Sequence, residues 1–141
     1  MRNKKDWLWA RDQYKRARSK YDGKKLMGNT WLVVSDVSPT RDWETDQTVY
    51  AVRHWRTEVV RFFPNGVVGA SLNGWSTVTT KKRISRFSPM SIGTNRGQVG
   101  CGALGGNQWI GTEDTWFYWK DGRLVFQDGD RVPNLIWAKK Q

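Results

Sequence analysis

The chain has 141 residues, with 24 Lys or Arg against 13 Asp or Glu and a formal net charge of +11 at pH 7, a length that fills one domain around a single core. Cys101 and His54 are its only cysteine and histidine, which excludes a disulfide framework and a thiolate-imidazole zinc site built within one chain. The absence of any run of about eighteen apolar residues excludes a membrane-spanning helix, and the charged start, unlike a signal peptide, leads us to expect an intracellular protein.

The charge is uneven. Residues 1 to 25 hold ten Lys or Arg against three Asp, and residues 76 to 97 hold five with no acid, while the remainder is close to balanced. Clustered cations create a local field that scattered ones do not, so the expected partner is a polyanion: nucleic acid, DNA or RNA, or an acidic protein. Ten Trp in a chain of 38% hydrophobic residues argue for a packed core and against a disordered basic tail. The sequence implies no cofactor.

In chain order, residues 5 to 21 read as a basic amphipathic helix. Trp7, Ala10, Tyr14, Ala17 and Tyr21 recur at helical spacing on one face, and Arg11, Lys15 and Arg18 form a second stripe. Asp22-Gly23 is the expected stop. From Thr30 the pattern is β: a strand over Thr30 to Ser35, then an acidic loop to Gln47. Thr48 to Trp55 and Thr57 to Phe63 follow as one long strand bent near Trp55 and Arg56. An unbroken strand there places Arg53, Trp55, Thr57, Val59, Arg61 and Phe63 in one row. Pro64-Asn65-Gly66 is a turn, and Val67 to Leu72 the returning partner.

Asn73-Gly74-Trp75 breaks that strand. Thr79 or Thr80 is the expected cap of a short helix through Phe87, pinned to the sheet by Ile84 and Phe87 and stopped by Pro89. Seven glycines between residues 91 and 111 predict a mobile loop. Residues 115 to 127 read as a hairpin turning at Asp121-Gly122, followed by a turn at Asp128 to Asp130 and an edge strand from Arg131 to Trp137. The whole predicts an α+β fold: a small twisted antiparallel sheet of about five or six strands, a basic N-terminal helix over residues 1 to 25, and one short helix after the central hairpin. Residues 26 to 141 form the single domain.

The strongest site candidate is Trp75 to Arg86. Phosphate recognition needs persistent cations together with hydroxyl or N–H donors, and Thr79, Thr80, Lys81, Lys82, Arg83 and Arg86 supply them beside Trp75, a flat face on which a base can stack. Arg11, Lys15 and Arg18 on the first helix, with Arg53 and Arg61 on the strand row, complete the candidate nucleic-acid-binding set. Asp42, Glu44 and Asp46, or Asp128 and Asp130, are the carboxylate clusters a metal-dependent nuclease would need, but both lie in turn-like sequence where Asp serves the backbone. The glycine run contains a G-x-x-G spacing with no P-loop lysine after it. Cys101, in Gly-Cys-Gly, reads as an inert small residue. No catalytic or metal-binding residue is assigned.

Four segments carry a resemblance: Tyr50-Ala51-Val52-Arg53-His54, Thr57-Glu58-Val59-Val60, Pro64-Asn65-Gly66, and Gly74-Trp75-x-Thr77-x-Thr79-Thr80-x-x-Arg83-Ile84. Over roughly residues 48 to 89 the chain resembles small uncharacterised bacteriophage proteins. The resemblance implies a phage product acting in the host bacterial cytoplasm. Three roles fit that origin and the charge: binding nucleic acid through the two basic segments, inhibiting a host protein such as a defence nuclease or the transcription machinery, or associating with the genome in the virion.

Overall fold

In the computed structural model, which describes residues 5–95, 98–103, 109–121 and 123–127, the chain is α+β, as its sequence predicts. The elements run α1 (Trp7–Lys15), β1 (Lys24–Met27), β2 (Thr30–Val34), β3 (Tyr50–His54), β4 (Thr57–Phe62), β5 (Val68–Ala70), α2 (Val78–Phe87), β6 (Met90–Asn95), β7 (Gln98–Ala103), β8 (Trp109–Gly111), β9 (Phe117–Lys120) and β10 (Arg123–Gln127). A seven-stranded antiparallel sheet has the order β1-β2-β3-β4-β5-β9-β10, and β6-β7-β8 form a second antiparallel sheet.

Alternation sorts the main sheet into two faces. The cross-strand row Leu32, Val52, Val60, Ala70 and Phe117 belongs to one. All five side chains are buried in the principal core. Both helices cover this face. Trp7, Ala10 and Tyr14 of α1 enter the same core as Thr80's neighbours Ile84 and Phe87 of α2, and the Trp9 ring stacks on Phe87 at 6.1 Å and lies tilted against Phe62 at 5.7 Å. The N-terminal helix is thus built into the core. Its indole Trp7 Nε1–H donates to Thr48 O at 2.7 Å. The opposite face carries Ala51, Arg61, Gly69 and Tyr118 in one row, beside a smaller cluster of Val49, Phe63, Val67, Trp116 and Tyr118.

Several sequence expectations need correction. The first helix stops at Lys15, with Arg16 as its C-cap, instead of running to Tyr21. The Tyr14 hydroxyl donates to Lys20 O, and the Lys20 ammonium donates to the carbonyls of Lys15 and Ala17. These bonds satisfy the exposed end of the helix and fold the following residues into a turn. Tyr21, expected on the apolar face, is 97% exposed. Gly23 closes that turn at φ +90°, where a Cβ would sit 2.3 Å from Leu32 O, so only glycine fits.

The expected long strand from Thr48 to Phe63 is instead a hairpin. β3 and β4 pair antiparallel, with His54 opposite Thr57 and a bulge between Val52 and Arg53, and Trp55-Arg56 is the whole loop. The row of Arg53, Trp55, Thr57, Val59, Arg61 and Phe63 therefore does not exist.

The glycine-rich segment, expected to be a mobile loop, forms β6, β7 and β8 in its described parts. Gly93 pairs with Gly100 and Ser91 with Gly102, while Ile92 and Cys101 face each other. Val99, Cys101 and Ile92 are buried with Ile84 and Phe87, and that burial offsets the glycine entropy. The helix cap is Thr77, not Thr79 or Thr80, and its side chain accepts the Thr80 N–H at 3.1 Å. The β4–β5 and β9–β10 hairpins form where the sequence places them. The expected turn at 128–130 and edge strand at 131–137 lie outside the described residues. Among the described residues no helix is long and apolar enough to cross a membrane.

Candidate nucleic-acid interface

The start of α2 and the tip of the β3–β4 hairpin face each other across a cavity of about 560 Å³. Its walls include Trp55, Thr57 and Val59 from the hairpin and Trp75, Thr77 and Thr79 from the approach to α2. Trp55 and Trp75 are 65% and 59% exposed, so two large aromatic surfaces stand open to solvent at one cleft. Asn73 at φ 50° and Gly74 at φ 87° turn the chain after β5 and present Trp75 there. At the cleft floor, Thr80 is buried, and its hydroxyl lies 2.9 Å from that of Thr77.

Trp55 occupies the first position of the two-residue turn with φ 58°. That position favours glycine, because an L side chain in the left-handed region crowds its own backbone. Its N–H donates to Asn29 O at 2.7 Å, which ties the hairpin tip to the β1–β2 turn.

Behind Trp55 lies the buried His54. Its Nδ1 is 3.2 Å from Thr30 Oγ1, which also accepts Arg83 Nε–H at 2.9 Å. Burial, with the Arg83 charge adding to it, lowers the His54 pKa below 6.5, against a backbone hydrogen bond at Asn29 that raises it. His54 is therefore a neutral packing residue at pH 7.

A second cavity, also about 560 Å³, adjoins the first and shares Trp55 and Arg56 with it. Lys20, Arg41, Arg53 and Arg56 line it together with Asp36 and Glu58. The Glu58 carboxylate accepts from Ser35 Oγ–H at 2.7 Å, Asp36 N–H at 2.8 Å and Arg61 Nε–H at 2.8 Å. Arg41 donates to the carbonyls of Ser35 and Val34. Arg53 Nε–H is buried and has no hydrogen-bond partner among the described residues.

The sequence-derived site residues fall into three groups. Trp75, Thr79 and Thr80 line the aromatic cleft, while Lys81, Lys82 and Arg86 border a shallow groove on the outer side of α2. Lys81 Nζ donates to Thr94 Oγ1 at 2.6 Å, and Lys82 and Arg86 are exposed. On and after α1, Lys15 and Arg18 are exposed, whereas Arg11 lies half-buried over the Trp7 ring at 5.5 Å.

The third group is turned inward. Arg83 is held by Thr30, and Arg61 is paired with Glu58 and stacked over Trp116 at 4.0 Å. Arg53 lines the second cavity, on the sheet face opposite the helices. Sequence reasoning missed Trp55 and Arg56 as site residues, because neither is a usual turn residue and the runs on either side read as one strand. Thr77, inside the Trp75 to Arg86 segment, lines the cleft as the cap of α2.

Among the described residues no group of three or more metal-ligating side chains lies together. Asp42 accepts the Glu44 N–H at 3.0 Å within an exposed turn, the backbone role its sequence context implies. Asp128 and Asp130 lie outside the described residues. No protein-family model, curated protein or solved structure matches the chain.

Proposed function

We propose that this protein binds nucleic acid, gripping the phosphate backbone with the outer surfaces of its two helices, and that it does so as a phage product in the host bacterial cytoplasm. One observation carries the reading: the two basic segments, far apart in sequence, become neighbouring helices on the same face of one sheet. Trp9 of α1 touches Phe87 of α2, so the outward cations of both belong to a single layer. Lys15, Arg16 and Arg18 stand out on the α1 side and Lys82 and Arg86 on the α2 side. Asp12, paired with Arg16 at 3.2 Å, is the one acid within either helix. A duplex or a single strand laid across this layer meets cations with few competing carboxylates.

Fluorescence anisotropy with labelled oligonucleotides across a salt series tests the proposal. Neutralising about four or five phosphates gives a slope of log affinity against log salt of roughly −3 to −4. Replacing Lys82 and Arg86 together by Glu lowers affinity for every sequence and flattens the slope by about 1.5. A wild-type affinity no better than that of an unrelated protein of equal charge would sink the proposal.

A further inference from the structure

We infer that the Trp55–Trp75 cleft is a slot for an unpaired base and the adjoining cationic cavity a seat for its phosphate, which makes single-stranded nucleic acid the preferred ligand. This inference rests on the nucleic-acid-binding reading and narrows it. Three observations carry it. First, two Trp more than half exposed line one cavity, a costly arrangement in water unless a flat apolar partner covers them. Second, Trp55 sits in a left-handed turn position, where neither backbone preference nor burial rewards it. A bulky residue held in that conformation stores strain, and such strain gathers at binding sites. Third, Arg56 follows Trp55 and belongs to both cavities, so the hairpin tip is the wall between an aromatic slot and a cationic one.

The second cavity suits a phosphate by charge. Four cations line it against two carboxylates, and one of the two, Glu58, is already paired with Arg61. Arg53 brings a buried N–H that still needs an acceptor. The two cavities share Trp55 and Arg56, so a base held in one stands next to a phosphate held in the other. In a duplex the base is stacked and paired within the helix, out of reach of such a slot. In a single strand its face is free to stack on an indole.

The experiment compares three probes of equal length by anisotropy: oligothymidine, an abasic chain with the same phosphates, and a duplex. The wild-type protein is expected to prefer oligothymidine to the abasic chain by at least tenfold. Trp55→Ala and Trp75→Ala each weaken oligothymidine binding by about 5- to 100-fold and erase that preference, leaving duplex affinity and the salt slope unchanged. Arg53→Gln lowers affinity for oligothymidine and the abasic chain alike. Thermal melting of each variant checks that the fold is retained.

If the abasic chain binds as tightly as oligothymidine, or if the Trp variants lose duplex affinity equally, the base slot is overturned while backbone binding stands. If the wild-type protein binds none of the three, the nucleic-acid reading and the slot fall together.

Discussion

Replacing Glu58 by Ala probes how firmly the sheet holds Arg61. The carboxylate is 6% exposed and accepts three hydrogen bonds, from Ser35 Oγ–H, Asp36 N–H and Arg61 Nε–H. Its removal leaves the guanidinium, 16% exposed and 4.0 Å from the Trp116 ring centroid, without its carboxylate. Breaking a buried pair from one side costs about 3–5 kcal/mol. Partial exposure and the Trp116 face place Glu58→Ala at the low end, about 3 kcal/mol. With a urea slope of about 2 kcal/mol per molar, the midpoint falls by roughly 1.5 M. Adding Arg61→Leu removes the stranded charge, so the double variant is expected to be more stable than Glu58→Ala alone by at least about 1 kcal/mol. Tryptophan fluorescence in urea measures all three proteins. Additive losses in the double variant, or a Glu58→Ala cost below about 1 kcal/mol, would refute the internal role of the pair.

At position 55 the comparison is between two truncations. Trp55→Gly and Trp55→Ala both delete the ring, but only glycine relieves the left-handed backbone. The glycine variant is therefore expected to be the more stable by about 1 kcal/mol, read from urea midpoints; equal stabilities would mean the turn carries no strain. Cys101 is buried and its thiol is pushed up to about 12, so iodoacetamide at pH 8 is expected to leave the native protein unmodified and to label it fully in urea. Rapid native labelling would show that β7 is open to solvent. The folded pKa of His54 lies below 6.5, chiefly through burial, so the unfolded chain binds a proton more readily than the native one. Stability is then level above the unfolded value and declines as pH falls through about 6.5 toward the folded pKa. His54→Gln is expected to flatten the profile between pH 7 and 5, and an unchanged profile would count against a desolvated ring.

The sequence was most legible where one local signal sufficed. Pro64-Asn65-Gly66 and Asp121-Gly122 mark turns by residue type alone, and Ile84 and Phe87 mark the buried side of α2 by spacing. Its failures have physical causes. The apolar period of α1 continues to Ala17 and Tyr21, but Lys20 reaching back to two carbonyls ends the helix earlier, and periodicity does not reveal a side chain that competes for the helix end. Trp55-Arg56 hid a hairpin because neither residue belongs to the usual turn vocabulary. That mismatch is itself the trace of the candidate slot. In the glycine-rich stretch, glycine count masked a two-residue alternation. Val99 and Cys101 are buried with Gly100 between them, and the pattern is that of a strand whose intervening side chain is missing.

The net charge of +11 overstates the number of side chains free to grip a ligand, and the structure divides the cations by environment. Arg41, Arg61 and Arg83 are oriented by bonds to the Ser35 and Val34 carbonyls, Glu58 and Thr30, and Lys20 by bonds to the Lys15 and Ala17 carbonyls after α1. They still add to the long-range field, which speeds encounter with a polyanion but chooses nothing about it. Choice belongs to groups whose donors or faces remain open: Lys82 and Arg86 on the helical layer, Arg53 and Arg56 behind the hairpin tip, and the two indoles beside them. Charge reversal of the first pair therefore alters affinity for all nucleic acids, whereas loss of an indole alters only which kind is held. Those two responses are separable because, in the proposed complex, the helix surface meets phosphate, common to every strand, and the cleft meets a base, which only an unpaired strand presents.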